Sequence, residues 1–310
     1  MLRITTLLTL LTIFSNISAQ TPYFGLNKPS GLEIFAPSIV SAGFYERDIA
    51  ISPDGTEVFY SIVESQQSAK IIQISFADGV WQPAKTASFS TGAYDIEPAF
   101  SFEGDKLYFA SNRRESGIGT KDFDIWYVEK QTDGSWGDAV NVGEPINTEE
   151  NEFYPSLAKN GTLYYTGRYA SGKGGEDIWF SELVDGKYGP RQVLPTTINA
   201  TQDDFNAFID PDEQYIIWTS WGRDDDTGRG DLYISRKDGS GAWQQAENMT
   251  ELNTPQLDYC PYVSREGDLL FFTSERKTTI QIDGDPLNPA AAMKAILSPQ
   301  GANIYWVNFN

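Results

Sequence analysis

The sequence of 310 residues predicts an all-β fold, a single β-propeller of five four-stranded blades. One pattern of strands and tight turns recurs five times at a spacing of about 50 residues, which is typical of propellers. Aromatic and β-branched residues fill the repeated segments without helical spacing, which favours strands. A further strand-like segment precedes the first repeat, so the two ends of the chain are expected to close a ring.

Each repeat contains a hairpin turn between its first and second strands. Asp-Gly and Asn-Gly pairs supply the positive φ angles that such turns need. The turn cores are Asp54-Gly55, Glu103-Gly104, Asn160-Gly161, Asp212-Glu213 and Glu266-Gly267. The fourth core lacks glycine, so a different turn is expected there.

The second and third strands follow each turn. The predicted second strands are VFYS (58–61), LYFAS (107–111), LYYTG (163–167), IIWTS (216–220) and LLFFTS (269–274). The predicted third strands are KIIQIS (70–75), DIWYVE (124–129), DIWFSE (177–182), DLYISR (231–236) and NIYWVN (303–308). The aspartate that opens three of them follows a glycine-containing loop, where a short carboxylate accepts backbone N–H bonds, so we interpret it as structural.

The number and position of the fourth strands indicate how the ring closes. Four of them open with glycine and an aromatic residue, in GVWQ, GSWG, GKYG and GAWQ, and the aromatic residue is expected to pack between blades. The segment EIFAPSIVS (33–41) resembles a fourth strand and is expected to complete the last blade. The predicted blades cover 42–92, 93–148, 149–200, 201–254, and 255–310 with strand 33–41, and six blades is the alternative. An insertion at 277–302 is either a functional loop or a decorative one.

Composition excludes several kinds of site. The chain has no histidine and one cysteine, which excludes Ser-His-Asp and Cys-His nucleophiles, His-ligated zinc and an intramolecular disulfide. Its net charge of −20 argues against nucleic acid and anionic lipid surfaces as partners. Residues 1–19 resemble a cleaved export signal, with Arg3, a short apolar run and Ser18-Ala19, and no later segment is apolar enough to cross a membrane. A periplasmic or secreted protein is therefore expected, with the propeller over residues 20–310.

The repeats resemble a known family. The SPDG turn (52–55), the aromatic strand after it and the Asp-Ile-Trp strands are similar to WD40-like (PD40) repeats of TolB-type propellers. The longer unit, including Ile146-Asn147-Thr148, Glu152 and Pro155, resembles exported PD40 proteins of Bacteroidetes. The resemblance implies a propeller that serves as an envelope scaffold, as a sensor or receptor module or, occasionally, as part of an enzyme.

Charged residues recur near the start of each first strand. The acids are Asp48, Glu97, Glu152, Asp204 and Asp258, and arginines end four second strands at Arg113, Arg168, Arg223 and Arg276. Because first strands lie nearest the axis of a propeller, these side chains are expected at one mouth of the channel. They form either a polar site for a cation, a sugar or a basic peptide, or ion pairs that join the blades, and their repetition favours the second interpretation.

Positions at which the blades differ are better candidates for a ligand site. These are Glu64, Trp221 and Tyr259. A structural Ca²⁺ is one hypothesis, because Asp224-Asp225-Asp226 offers carboxylates and Asp283 with Asp285 resembles the start of a calcium loop, although a solvated acidic loop is the alternative. No other cofactor is expected, and the lone Cys260 is expected to be buried.

The sequence therefore favours a non-catalytic, monomeric propeller of the cell envelope that binds a protein, peptide or glycan at the acidic rim. The alternative is a glycan-active enzyme, because glycosidases need two carboxylates and no histidine. Its candidates are Asp48, Glu97, Glu152 and Asp204. Two unpaired carboxylates in one pocket would favour the enzyme, and internally paired acids would favour the binding protein.

Overall fold

The computed structural model describes residues 22–117, 119–200, 202–277 and 301–309. These residues form five antiparallel sheets arranged as a five-bladed β-propeller, which confirms the predicted fold. Four of the sheets have four strands and that of blade 1 has a fifth, short strand, while one further pair of short strands lies outside the blades. The first strands of neighbouring blades contact one another around the ring, so they line the axis. The signal at 1–19 and most of the insertion at 277–302, with Asp283 and Asp285, lie outside the described residues.

Each blade runs in chain order from the axis to the rim. The first strands are Glu46–Ile51, Asp95–Phe100, Glu152–Leu157, Asp203–Ile209 and Asp258–Val263. The second strands are Glu57–Ser65, Lys106–Arg113, Leu163–Gly167, Tyr215–Trp221 and Leu269–Ser274. The third strands are Ser68–Ala77, Thr120–Glu129, Asp177–Ser181, Asp231–Arg236 and Asn303–Asn308. The outermost strands are only two residues long: Lys85–Thr86, Val140–Asn141, Gln192–Val193, Glu247–Asn248 and Glu33–Ile34.

We call the face at which the first strands begin the upper face. The hairpin turns between first and second strands lie on the opposite, lower face. Four turns place glycine at positive φ, as the sequence predicts, with values of 66° at Gly55 and 87° at Gly161, for example. In the fourth turn Glu213 adopts a φ of 56°, so a non-glycine residue takes the left-handed conformation there.

The N-terminal segment closes the ring. Glu33 and Ile34 pair antiparallel with Trp306 and Tyr305 of the last blade, which confirms the predicted closure. Phe35 follows this pair, is fully buried, and contacts rings of blade 1 and blade 5. A hydrophobic cluster therefore joins the first and last blades.

The predicted starts of the fourth strands are wrong by several residues. Trp81 and Tyr188 belong to short hairpins, Val80–Trp81 against the third strand of blade 1 and Lys187–Tyr188 against Leu183–Val184. Trp136 and Trp243 make single bridges to the ends of their third strands. The true fourth strand begins a few residues later in each blade, because the glycine ahead of the aromatic residue closes a turn. The four aromatic side chains pack against the hydrophobic clusters, as the sequence predicts.

Every first strand contains an irregularity at one equivalent position. The register with the second strand shifts there in all five blades. The residues at this position all have left-handed φ values, between 48° and 63°, and none is glycine: Asp48, Glu97, Tyr154, Asn206 and Cys260. A bulge re-aims the side chain that it carries. The bulges bring five chemically different side chains to the axis.

Of the described residues, none belongs to a helix with the length and apolarity needed to cross a membrane.

Candidate functional site

A buried polar cluster lies on the axis. We call Arg47, Asp48, Glu97, Asn206 and Cys260 the axial cluster. Arg47 Nε donates to Asp48 Oδ1 at 2.7 Å and Arg47 Nη2 donates to Glu97 Oε1 at 2.6 Å. Asn206 Nδ2 donates to Glu97 Oε1 at 3.2 Å, and the Cys260 thiol is 3.6 Å from Asn206 Oδ1. The cluster therefore links four of the five blades.

Both carboxylates of the axial cluster are engaged from several sides. Asp48 Oδ2 accepts the backbone N–H of Glu97 at 3.1 Å, and Glu97 Oε2 accepts the backbone N–H of Tyr154 at 2.7 Å. Burial raises the pKa of Glu97 to about 7, although Arg47 lowers it and Asp48 raises it further. A buried thiol is a poor nucleophile, because burial holds the pKa of Cys260 well above its usual value. Cys260 is buried, as predicted.

Arg47 is the residue of this cluster that the sequence interpretation missed. Its equivalents in the other four blades are apolar or aromatic: Ile96, Phe153, Phe205 and Tyr259. A single cation at a position that is otherwise apolar is the signal that aligned repeats would have shown. The Arg47 guanidinium also lies 5.1 Å from the Tyr259 ring centroid. Tyr259 is buried and its hydroxyl bonds to Tyr45, so it is part of the packing around the axis.

The expectation that the five predicted acids occupy one ring is wrong. Glu152, Asp204 and Asp258 lie at the start of their first strands, two residues before the bulge, but the equivalent residues in blades 1 and 2 are Glu46 and Asp95. Asp48 and Glu97 lie two residues further on, at the bulge. The error arose because blades 1 and 2 carry two acids spaced by two residues. We call the structural ring of Glu46, Asp95, Glu152, Asp204 and Asp258 the blade acids.

The blade acids fasten the loops that enter each blade. Each accepts the backbone N–H of the residue four positions earlier in the chain. Three of them also pair with the predicted arginines, through Arg113 to Asp95 at 2.6 Å, and through Arg223 and Arg276 to Asp204 and Asp258 at 2.8 Å. Their side chains are essentially inaccessible to solvent. The acids are thus paired internally, as the structural interpretation expects, but each ion pair lies within a single blade and does not join two blades.

Blade 3 departs from that arrangement. Arg168 turns outward, with 64% of its side chain exposed, and contacts Asp203 rather than Glu152. The Tyr169 hydroxyl donates to Glu152 instead, at 2.6 Å. Burial raises the pKa of Glu152 to about 7, and the hydrogen bonds from Tyr169 and Thr148 lower it only in part. Blade 3 therefore holds a buried acid that is not paired with an arginine and an arginine that is free to face solvent.

Two other predicted residues lie on the surface. Glu64 is paired with Lys70 at 2.6 Å in an exposed hairpin. Trp221 ends the second strand of blade 4 on the upper face, with 49% of its surface exposed. It is directly opposite Asp203 in the strand pairing, and Asp203 is the residue that contacts Arg168. Trp221 and Arg168 were predicted separately, and both neighbour Asp203 on the rim of blades 3 and 4. Trp221 is its partner in the strand pairing, and Arg168 contacts its carboxylate.

The upper face carries two adjoining depressions. One, between blades 2 and 3, encloses about 2020 Å³ of partly open space and is lined by Arg114, Lys121 and Glu149, among others. The other encloses about 880 Å³ and is lined by Arg168, Gln202 and Asp203 at the rim of blades 3 and 4. On the lower face an apolar cavity of about 710 Å³, partly open to solvent, lies against Tyr154, so the axial cluster separates the two faces.

The acidic loop of blade 4 is internally satisfied. The Tyr233 hydroxyl lies 2.7 Å from Asp225 Oδ1 and 2.8 Å from Asp226 Oδ1, while Asp226 Oδ2 accepts backbone N–H groups. Within the described ranges, no group of three or more acidic or cysteine side chains is arranged to hold a metal ion. A bound Ca²⁺ therefore remains a prediction without a site among these residues.

The chain was compared with known proteins. No family model matches it, and no curated protein sequence does. Similar solved structures include a TolB-like protein from Agrobacterium tumefaciens, 16% identical with a TM-score of 0.50 over 78% of this chain and 73% of that one. TolB from Acinetobacter baumannii is 14% identical with a TM-score of 0.50, over 75% of this chain and 49% of that one. An α-L-arabinofuranosidase from Podospora anserina in complex with cellotriose is 12% identical with a TM-score of 0.52, over 88% and 94%.

At such identities the likeness shows the fold and not the activity. The neighbours include both a TolB propeller and a glycan-cleaving enzyme, so they do not choose between the two functions that the sequence leaves open. What they support is that this chain has a TolB-like β-propeller fold.

Proposed function

We propose that this chain is an exported, non-catalytic β-propeller of the cell envelope, built from PD40-type repeats of the kind found in Bacteroidetes, that binds a protein, peptide or glycan on its upper face. The observation that carries the proposal is the internal pairing of every candidate acid. Asp48 and Glu97 are bridged by Arg47, Asp204 and Asp258 are bound by arginines, and Glu152 is bound by Tyr169 and Thr148. A general acid and its partner carboxylate must reach the substrate, and these groups face other protein groups.

The upper face supports the second half of the proposal. It holds the two polar depressions, the exposed Trp221 and the outward-facing Arg168. Exposed aromatic residues beside polar groups are typical of binding surfaces, whereas a single exposed apolar residue without such neighbours is ordinary. Trp221 belongs to the first kind, because Arg168 and the depressions lie near it. The lower face offers a smaller and mostly apolar cavity.

Catalysis is tested directly with the purified protein. We expect no release of reducing sugars from a panel of plant and bacterial polysaccharides. The matched variants are Asp48→Asn and Glu97→Gln, which remove the two axial carboxylates. Hydrolysis by the native chain that either variant abolishes would overturn the proposal in favour of the glycan-active enzyme.

The location of the binding surface is tested by blocking one face at a time. Because Cys260 is fully buried, a maleimide polyethylene glycol will label an introduced surface cysteine selectively. Ser171→Cys lies on the upper face and Asp212→Cys on the lower face, and both positions are exposed. We expect the first conjugate, and not the second, to lose cross-linking to purified envelope proteins and binding to purified envelope polysaccharides. Loss with the lower-face conjugate alone would contradict the proposed surface.

Export is tested by expressing the complete chain in a Gram-negative host. We expect the protein in the periplasmic fraction or the medium, with its N-terminus near Gln20. Recovery from the cytoplasm alone, with residues 1–19 intact, would contradict this part of the proposal.

A further inference from the structure

The rim of blades 3 and 4 on the upper face carries features that the packing of the propeller does not use. Trp221 exposes about half of its surface, and Arg168 exposes about two thirds of its side chain. In blades 2, 4 and 5 the arginine at the end of the second strand is held against a blade acid, whereas in blade 3 Tyr169 makes that contact and Arg168 does not. Trp221 and Arg168 therefore expose an apolar surface and a charge to solvent at one place, and the contact that Arg168 makes with blade 4 is the exposed pair with Asp203.

The local backbone brings these residues together. Asp203 and Trp221 are directly opposite in an antiparallel pair, and side chains at such positions lie on the same side of the sheet. Asp203 Oδ1 accepts the backbone N–H of Glu176 at 2.8 Å and lies 3.4 Å from Arg168 Nη2. Asp203 is thus held beside Arg168 and lies across the strand pair from Trp221.

Glycines allow the surrounding loops to approach closely. A Cβ at Gly175 would lie 2.1 Å from Asp203 Oδ1, so no larger residue leaves Asp203 in this position. Gly222 has a φ of 91°, and a Cβ there would lie 2.4 Å from the side chain of Gln202. Gln202 is therefore held against the residue that follows Trp221. Arg168, Gln202 and Asp203 line the depression of about 880 Å³, and Trp221 adjoins it as the cross-strand neighbour of Asp203.

The chemistry of this edge decides among ligands. Arg168 supplies N–H donors, Asp203 supplies acceptors, and Gln202 supplies both, while none of them is enclosed by protein. Arg168 and Asp203 compensate each other's charge, and Glu150 adds one exposed carboxylate on the far side. The two carboxylates repel a free anion, and the guanidinium repels a basic peptide. A neutral ligand with many hydroxyl groups is repelled by neither.

The indole of Trp221 provides a flat surface on which a ligand ring can stack. Tryptophan offers a flat apolar surface with a polar edge, and the C–H face of a sugar ring is a flat apolar surface bordered by hydroxyls. Planar groups such as guanidinium and carboxylate bind vicinal hydroxyls through paired hydrogen bonds. We infer that the rim formed by Arg168, Gln202, Asp203 and Trp221 is a binding site for a neutral oligosaccharide, with one sugar ring stacked on Trp221. This inference rests on the proposed function and names the ligand class for the upper face.

The test is a binding measurement on the complete mature chain. A glycan array of neutral plant, fungal and bacterial oligosaccharides identifies the preferred probe, and titration calorimetry then measures its affinity. We expect Trp221→Ala to weaken binding at least 10-fold and Arg168→Ala about 5-fold. Arg168→Lys should recover part of the affinity, because lysine keeps the positive charge and lacks only the planar guanidinium. Phe44→Ala is the matched control, since Phe44 is an aromatic residue of the upper face with 50% exposure and lies beside blade 1.

Two results would overturn the inference. One is the absence of binding to every neutral oligosaccharide on the array, and the other is binding that Trp221→Ala and Phe44→Ala affect equally. Binding of a hexalysine peptide in place of sugars, lost in Trp221→Ala, would reassign the rim to cations. In each case the proposed function would still hold if the protein captured an envelope protein and blocking the upper face abolished that capture. Polysaccharide hydrolysis that requires Asp48 would instead overturn the proposed function itself. Thermal unfolding of each variant checks that it is folded.

Discussion

Arginine at the end of a second strand has two different roles in this propeller. In blades 2, 4 and 5 a serine lies two or three residues before the arginine and accepts a hydrogen bond from its Nε. That contact turns the guanidinium inward, onto the blade acid. Blade 3 has Gly167 at the position of the serine, and Tyr169 takes the place of the guanidinium against Glu152. Tyr169 therefore occupies the position of Arg113 and Arg276, two residues after the residue that pairs with the blade acid, whereas Arg168 lies one residue earlier and contacts Asp203 instead.

This difference predicts unequal costs for the same substitution. Arg276→Ala leaves the buried Asp258 carboxylate without its cation and is expected to lower the free energy of unfolding by about 3–5 kcal/mol. Arg168→Ala removes an exposed pair and is expected to change it by less than about 0.5 kcal/mol. Urea denaturation of the two variants measures both values. Equal losses would contradict the view that the exposed pair of Arg168 contributes little to stability.

Glu152 predicts a particular dependence of stability on pH. Its pKa in the folded chain is about 7, against an ordinary value of 4.5, because burial disfavours the carboxylate. The protonated form is therefore favoured by folding, so its contribution is present in full below about pH 4.5 and is lost as the pH rises through 7. Relative to Glu152→Gln, the native chain is expected to lose up to about 3 kcal/mol between pH 4.5 and pH 8.

Urea denaturation at several pH values measures this difference. The comparison with Glu152→Gln cancels the contribution of other titrating groups, such as Glu97, whose pKa is also raised to about 7. Parallel stability curves for the two proteins across this range would contradict the burial argument.

Three of the five bulged first strands share one type of hydrogen bond. The backbone N–H at the bulge donates to a hydroxyl on the second strand of the preceding blade: Glu97 to Ser61, Asn206 to Thr166, and Asp48 to Thr273. Blade 2 has Ala110 at the position of the hydroxyl, and there the Glu97 carboxylate accepts the N–H of Tyr154 instead. Glu97 thus replaces a missing side chain as well as binding Arg47.

Two threonines at equivalent positions allow this hydrogen bond to be tested. Thr166→Val leaves the buried N–H of Asn206 unsatisfied and is expected to lower the free energy of unfolding by about 1–3 kcal/mol. Thr219 is equally buried, but its hydroxyl has no hydrogen-bond partner in the described part of the chain. Thr219→Val is therefore expected to be neutral or slightly stabilising. A similar loss in both variants, measured by urea denaturation, would show that packing of the hydroxyl and not its hydrogen bond is what matters.

The elements show how far the sequence predicts the structure. Turn cores and aromatic strands were enough to predict five blades and their closure, because both signals depend on residues close in the chain. The position of Asp48 and Glu97 was not predictable, since a bulge is a relation between strands and moves an acid by two residues without changing the local pattern. The prediction grouped Arg168 with Arg113, Arg223 and Arg276, but the register between the first and second strands, which the local sequence does not reveal, gives the inward position in blade 3 to Tyr169.

At the scale of the molecule, the ring is held both at its axis and at one seam. The axial cluster links four blades through side chains, while the seam between blade 5 and blade 1 is closed by Glu33–Ile34 and by Phe35. A two-residue strand contributes few backbone hydrogen bonds. Apolar burial between blades 1 and 5 therefore contributes much of the closure, and Phe35 lies within it against Trp81, Phe271 and Trp306.

Phe35→Ala is expected to open this seam selectively. Removal of a fully buried phenylalanine costs about 3–5 kcal/mol, and here the cavity lies between the two ends of the chain. Leu194→Ala is the matched control, because Leu194 holds the equivalent position after the fourth strand of blade 3 and is also buried. Hydrogen exchange measured by mass spectrometry should show faster exchange in Asn303–Asn308 and Glu46–Ile51 for Phe35→Ala, and in Asp177–Ser181 for Leu194→Ala. Uniform acceleration around the ring in both variants would mean that the propeller opens as one cooperative unit and that the seam has no separate stability.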